Sequence, residues 1–129
     1  MNDSPRAGLR ILVVEDELLI ATSLEISLEG HGHRVVGPVS TVDAARRILE
    51  TEHPDLALLD YRLADSTTEP LLPVLRERGI PMCVLSGYGR DQLPDAYADC
   101  HLVEKPFYIG QLLETIGRMG LRKGAEPVP

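Results

Sequence analysis

Short apolar runs alternate with stretches of helical period along the chain. Residues 10–14, Arg10-Ile11-Leu12-Val13-Val14, are rich in β-branched side chains and predict a strand, which runs into three carboxylates, Glu15-Asp16-Glu17. Ile20, Ala21, Leu24 and Leu28 then fall on one helical face, with Gly30 or Gly32 as the stop. Arg34-Val35-Val36-Gly37 predicts a short second strand ended by Pro38. Ser40 with Asp43 resembles a capping box, opening a helix that turns Ala44, Ala45, Ile48 and Leu49 inward. Leu56-Ala57-Leu58-Leu59-Asp60 is an apolar run that ends on one carboxylate, the pattern of a strand buried on both faces of a parallel sheet.

The second half repeats the alternation. Residues 61–70 are polar and without a period, so a long loop is expected. Pro70 and Pro73 confine a third helix to about residues 70–78, because proline is tolerated only in a first turn. Met82-Cys83-Val84-Leu85 predicts a fourth strand closing on Ser86-Gly87. A weak fourth helix is expected over residues 91–98, which contain Pro94 and few apolar positions. His101-Leu102-Val103-Glu104 predicts a fifth strand closing on Lys105-Pro106. The last helix is clear, with Ile109, Leu112, Leu113 and Ile116 at i, i+3, i+4 and i+7.

Five strand–helix units in this order predict an α/β fold with right-handed crossovers. The expected architecture is a single (βα)5 flavodoxin-like doubly wound domain with parallel strand order 2-1-3-4-5. A flexible N-terminal arm is expected over residues 1–9, the folded domain over 10–121 and a flexible C-terminal tail over 122–129. With 129 residues there is room for one domain and a sizeable core. From Met1 and the short tail a whole gene product is expected rather than a domain excised from a longer hybrid protein.

Composition narrows the function. The formal net charge is -7, and the basic residues form no cluster beyond Arg46-Arg47 and Arg122-Lys123, which argues against nucleic-acid binding. No apolar run approaches the ~18 residues that span a bilayer. The first ten residues hold no apolar signal core, so a cytoplasmic location without membrane attachment is expected. Cys83 and Cys100 read as reduced thiols.

The chemistry lies at the strand ends. In the order 2-1-3-4-5, strands 1, 3, 4 and 5 are successive neighbours. Glu15 and Asp16, Asp60, Ser86 and Lys105 stand at their carboxyl ends, where open α/β sheets bind ligands. Singly, each has an ordinary structural reading as a helix cap, a turn or a surface lysine; jointly they make a reactive crevice. Clustered carboxylates repel one another, and a hard cation such as Mg²⁺, or Mn²⁺, relieves that repulsion. Lys105 and the Ser86 hydroxyl suit phosphate oxygens, and Gly87 lets a backbone N–H approach the same group. Asp60 is then a nucleophile that accepts a phosphoryl group.

At these residues the sequence resembles the receiver domain of two-component response regulators. The resemblance runs over about residues 8–121, through Ile11-Leu12-Val13-Val14-Glu15-Asp16-Glu17, Leu58-Leu59-Asp60, Leu85-Ser86-Gly87 and Glu104-Lys105-Pro106. It implies that Asp60 is the phosphoacceptor. It implies that Asp16, Asp60 and the backbone carbonyl of Arg62 bind Mg²⁺ directly, with Glu15 acting through water. It further implies that Ser86, Gly87 and Lys105 contact the phosphoryl group, and that Lys105-Pro106 is a candidate cis peptide. The run Val84-Leu85-Ser86-Gly87-Tyr88-Gly89 resembles a mostly stand-alone subgroup that carries Phe-Ala-Thr-Gly-Tyr-Gly. Three features depart from the common receiver. The loop Tyr61-Arg62-Leu63-Ala64-Asp65 lacks the usual Met-Pro and later Gly, Leu102 stands where an aromatic is expected, and the third helix has two early prolines.

The resemblance implies phosphotransfer from a histidine kinase or a histidine phosphotransfer protein; a monomer or weak homodimer is expected. No effector domain fits after residue 121, so output to a protein partner, or onward phosphotransfer, is expected. With Leu102 unable to act as the moving aromatic, Ser86 and Tyr88 are the expected switch. The competing readings are a metal-dependent phosphatase of haloacid dehalogenase type and a degenerate receiver that is not phosphorylated. Arg62, where the former carries a second aspartate, disfavours it; the intact polar set disfavours the latter.

Overall fold

A computed structural model describes residues 8–121. Five strands, β1 (Arg10–Val14), β2 (Arg34–Val39), β3 (Leu56–Asp60), β4 (Met82–Ser86) and β5 (His101–Glu104), form one sheet in the order β2-β1-β3-β4-β5. Every pairing is parallel. Four α-helices accompany it: α1 (Leu18–Gly30), α2 (Val42–Thr51), α3 (Leu72–Glu77) and α4 (Ile109–Arg118). The predicted fold class and strand order are those observed.

The period of two along each strand divides the core into two layers. Leu12, Val14, Ala57, Leu59 and Val84 face one layer with Ala45, Leu49, Leu72 and Leu75 of α2 and α3. Ile11, Val13, Leu56, Leu58, Cys83 and Leu85 face the other, with Leu24 and Leu28 of α1 and Leu112 and Ile116 of α4. β3 and β4 are buried throughout, which explains why they read as unbroken apolar runs rather than alternating ones.

Four expectations are corrected. The fourth helix is absent: after β4 the chain makes two 3-10 turns, Arg90–Gln92 and Asp95–Tyr97. Pro94 is the cause. It holds Leu93 extended, with ψ 148°, and so breaks the helical path between the turns. The segment is nevertheless well tied. Arg90 donates to the Tyr97 and Cys100 carbonyls at 2.9 and 2.7 Å, and Arg76 of α3 pairs with Asp99 at 2.6 Å.

β2 does not end at Pro38. It continues to Val39 through a cis Gly37–Pro38 peptide, with a register shift against β1. β2 is an edge strand, so the N–H that Pro38 lacks removes no ladder hydrogen bond. Gly37 has φ +95°, and a Cβ there would lie 2.9 Å from the Val39 nitrogen, so this bend requires glycine.

The cap of α2 is Thr41 rather than Ser40; its hydroxyl accepts from the Ala44 N–H at 3.0 Å. The folded domain also begins earlier than residue 10. Leu9 is fully buried in the α1–α4 layer, and Gly8 donates to the Gly32 carbonyl at 2.9 Å. The rest of the expected arm, residues 1–7, and the expected tail, residues 122–129, lie outside the described residues. Among the described residues, no helix is long and apolar enough to cross a membrane.

Candidate functional site

Strand register brings the charged groups together. β1 and β3 are in step, with Val14 beside Leu59, so the residues just past Val14 lie next to the end of β3. The carboxylates of Glu15, Asp16 and Asp60 each offer an oxygen within 4.8 Å of the others. Glu15 and Asp60 are buried, and Asp16 is half-buried. Lys105 arrives from β5, its backbone N–H tied to the Ser86 carbonyl at 2.7 Å. Its ammonium lies 3.1 Å from Asp60 Oδ1 and 3.3 Å from Glu15 Oε1. The Lys105–Pro106 peptide is cis.

These contacts set the charge states. Burial pushes Glu15 up to about 7; the Glu17 N–H, which donates to Glu15 Oε2 at 3.1 Å, opposes the rise, the Asp60 carboxylate adds to it and Lys105 opposes it. Burial and the Asp60 charge thus favour the protonated form of Glu15 more than in an ordinary carboxylate. Burial pulls Lys105 down, but the Asp60 and Glu15 carboxylates together outweigh it and hold the ammonium above its ordinary range. The donor set is all oxygen, closely spaced and only partly neutralised, which is what a hard divalent cation takes.

Ser86 is buried at the end of β4, and its Oγ accepts from the Tyr88 N–H at 2.9 Å, so the hydroxyl proton is left to donate elsewhere. Gly87 is exposed, and a Cβ there meets no atom within 4 Å. Packing within the chain therefore places no demand for glycine at that position. Arg62 is exposed, and its backbone makes an antiparallel bridge with Thr67.

Two participants escaped the sequence reading. Thr68, fully buried, has its hydroxyl 2.8 Å from the Asp60 carbonyl oxygen and 2.9 Å from the hydroxyl of Tyr97, also fully buried. Tyr61 packs edge-on against Tyr97 at 5.2 Å and against Tyr88 at 6.0 Å. One of two adjacent threonines in a polar loop and a lone tyrosine in a weak helix carry no periodic signal that would have singled them out.

Residues 11–117 match the family model of the response regulator receiver domain. The chain belongs to that family. Receiver domains are signalling modules rather than enzymes in the usual sense. This one is 34% identical over 101 residues to the phyllosphere-induced regulator PhyR of Methylorubrum extorquens, covering 75% of this chain and 38% of that protein. It is 31% identical to the transcriptional regulatory protein PdtaR of Mycobacterium tuberculosis, covering 83% of this chain and 54% of the relative. Among solved structures, the response regulator PhyR from Brucella abortus superposes with a TM-score of 0.77 at 31% identity, over 89% of this chain and 49% of that one. The receiver domain of PhyR from Erythrobacter litoralis gives 0.76 at 25% identity, over 95% and 98%. The chain thus spans about four-tenths to one half of the length of the curated relatives it matches.

Proposed function

We propose that this receiver domain takes a phosphoryl group onto Asp60 and signals through the resulting change in the loop after β4. The observation that carries this reading is the position of Lys105, held between the buried Asp60 and Glu15 carboxylates at 3.1 and 3.3 Å. In the reaction, an Asp60 carboxylate oxygen attacks phosphorus and forms the new O–P bond. The bond from phosphorus to the donor breaks, and its electron pair leaves with the donor, a histidine imidazole or, from acetyl phosphate, acetate. Lys105 neutralises a phosphoryl oxygen, and the Ser86 hydroxyl donates to another. Gly87 leaves its backbone N–H open to the same group.

The residues fit Mg²⁺, or Mn²⁺ in its place. Asp16, Asp60 and the Arg62 backbone carbonyl would bind it directly, and Glu15 through water. When bound, the ion supplies charge neutralisation of the phosphate. Asp16→Asn is expected to weaken Mg²⁺ affinity about 10- to 100-fold, since it removes both ligand strength and local charge. Titration of the amide resonances near residues 15–17 and 60–62 measures this, and unchanged affinity would exclude the assignment.

The phosphodonor is a histidine kinase or a histidine phosphotransfer protein. A groove of about 570 Å³ runs between α1 and the chain after β5, lined by Leu19, Ile20, Ser23, Phe107, Ile109 and, at its edge, Lys105. Leu18 and Leu19 beside it are 77% and 84% exposed. Because Lys105 also pairs with Asp60, a helix seated in this groove can carry its phosphohistidine to the phosphoacceptor. Leu19→Asp is expected to slow phosphotransfer from a histidyl-phosphate protein about tenfold while leaving labelling by acetyl phosphate unchanged. Equal loss with both donors would argue against a docking role.

Output is to a protein partner or by onward phosphotransfer; a similar structure from Bartonella quintana is that of an anti-anti-sigma factor PhyR. The phosphoryl group adds about -1.5 to -2 charges. Drawing the Ser86 hydroxyl towards it disturbs the Ser86–Tyr88 hydrogen bond and moves Tyr88, which is 41% exposed. Tyr88→Ala is expected to leave phosphorylation intact and to abolish the phosphorylation dependence of partner binding. Retention of that dependence would remove Tyr88 from the switch.

A further inference from the structure

A line of hydrogen bonds and ring contacts runs from the end of β3 into the segment that replaces the missing helix. The Asp60 carbonyl oxygen can only accept, so the single proton of the Thr68 hydroxyl is directed to it. Thr68 Oγ1 must then accept from Tyr97, 2.9 Å away. Burial pushes the Tyr97 phenol up to about 12, so the tyrosine keeps the proton that it donates. The Thr68 backbone N–H donates to the Tyr61 carbonyl at 3.1 Å. One buried threonine therefore holds two consecutive carbonyls, those of Asp60 and Tyr61, immediately before Arg62.

The line continues through the rings. Tyr97 packs edge-on against Tyr61, and Tyr61 against Tyr88, whose N–H is bonded to Ser86 Oγ. The path leaves Asp60 through Thr68 and Tyr97 and returns through Tyr61 and Tyr88 to Ser86, at the end of the neighbouring strand. The Arg90 guanidinium, 2.9 Å from the Tyr97 carbonyl, fastens the distal end.

We propose that Thr68 and Tyr97 are positioning residues for Asp60, which hold the end of β3 and the Arg62 carbonyl in place for phosphoryl uptake and couple the segment from Arg90 to Cys100 to the state of the phosphoacceptor. The inference rests on Asp60 being that phosphoacceptor.

The test follows phosphorylation of the full chain by acetyl phosphate and Mg²⁺ by intact mass. Thr68→Val is nearly isosteric and keeps the backbone hydrogen bonds while deleting the hydroxyl. It is expected to slow phosphorylation about three- to tenfold under conditions where its amide spectrum is that of a folded protein. Thr68→Ser, which keeps the hydroxyl, is expected to restore the rate, whereas a role in packing alone would not be rescued. Tyr97→Phe keeps the ring contacts, removes the donor and should fall between wild type and Thr68→Val.

Ring-labelled tyrosine adds a readout of coupling. The chain has four tyrosines, and Tyr108, 82% exposed at the start of α4, is the internal reference. Phosphorylation is expected to shift the Tyr97 resonance in wild type and to leave it unmoved in Thr68→Val, with Tyr108 unchanged in both. Wild-type rates in Thr68→Val, no rescue by serine, or a Tyr97 resonance indifferent to phosphorylation would overturn the proposal. If Thr68→Val does not fold, Tyr97→Phe decides, and a wild-type rate there overturns it. A wild-type chain that takes no label would overturn the phosphoacceptor assignment as well; a labelled Asp60 with indifferent Thr68 variants would overturn this inference alone.

Discussion

Replacement of Asp60 by Asn is expected to reduce phosphoryl uptake from acetyl phosphate to background. Asparagine keeps the shape of the side chain and one oxygen, so loss of folding is not the cause. What disappears is the anionic nucleophile: a neutral amide oxygen forms no stable bond to phosphorus under these conditions. Asp60 is buried at the end of a central strand, flanked by β1 and β4, with the Lys105 ammonium 3.1 Å from its Oδ1. Mg²⁺ affinity is expected to fall too, because one of the three clustered carboxylates is gone. Labelling of the Asn variant at the wild-type level would refute the assignment. Intact mass over a time course measures it.

Replacement of Lys105 by Ala has two separable expected effects. The first is on stability. Lys105 neutralises Glu15 and Asp60, both nearly inaccessible to water. Breaking a buried pair and leaving the charge behind costs ~3–5 kcal/mol. Here the lysine side chain is 23% exposed and Glu15 can take up a proton, so the expected loss without metal is about 1–3 kcal/mol. Mg²⁺ should return most of it, since the ion neutralises the same carboxylates; its affinity is expected to be unchanged or tighter. The second effect is on signalling. In the proposed reaction the ammonium is the positive partner of a phosphoryl oxygen, so phosphorylation or its consequences are expected to be impaired even when metal is saturating. Denaturant unfolding with chelator and with Mg²⁺ reads the first effect, and labelling with partner binding reads the second. A variant equal to wild type in labelling and in partner response would remove Lys105 from the mechanism.

The parts of this molecule that follow from periodicity were legible in the sequence. β3 and β4, with both faces covered, announce themselves as Leu56-Ala57-Leu58-Leu59 and Met82-Cys83-Val84-Leu85, and α4 by its spacing of Ile109, Leu112, Leu113 and Ile116. The strand order then places Glu15, Asp16, Asp60, Ser86 and Lys105 at one sheet edge before any coordinate is known. What local pattern could not supply were features decided by distant contacts. Pro38 reads as a strand end, yet β2 is an edge strand and passes through it. Residues 91–98 read as a weak helix, but Pro94 splits them, and Arg90 and Arg76 stabilise the irregular path instead. Leu9 reads as part of a loose arm because the layer that buries it is built from α1 and α4. Thr68 and Tyr97 lie 29 residues apart and acquire meaning only when folding brings their hydroxyls together.

The same contrast bears on the switch. Leu102 is half-buried and packed against the α2–α3 layer, so it has neither a hydroxyl nor a ring to move. Three of the five aromatic residues, Tyr88, Tyr61 and Tyr97, stand instead in successive edge-on contacts. That displacement is the reason to look for the readout in the loop after β4 and the segment beyond it.

Whether Asp60 carries the phosphoryl group is decided by locating the adduct in the wild-type chain. The protein is incubated with acetyl phosphate and Mg²⁺, digested with pepsin at low pH, where an acyl phosphate survives, and mapped by mass spectrometry. A single base-labile phosphoryl group is expected on the peptide that contains Leu56–Asp60, absent when Mg²⁺ is chelated. A stable adduct on any other residue, or no adduct while the fold is intact and Mg²⁺ is bound, would contradict it.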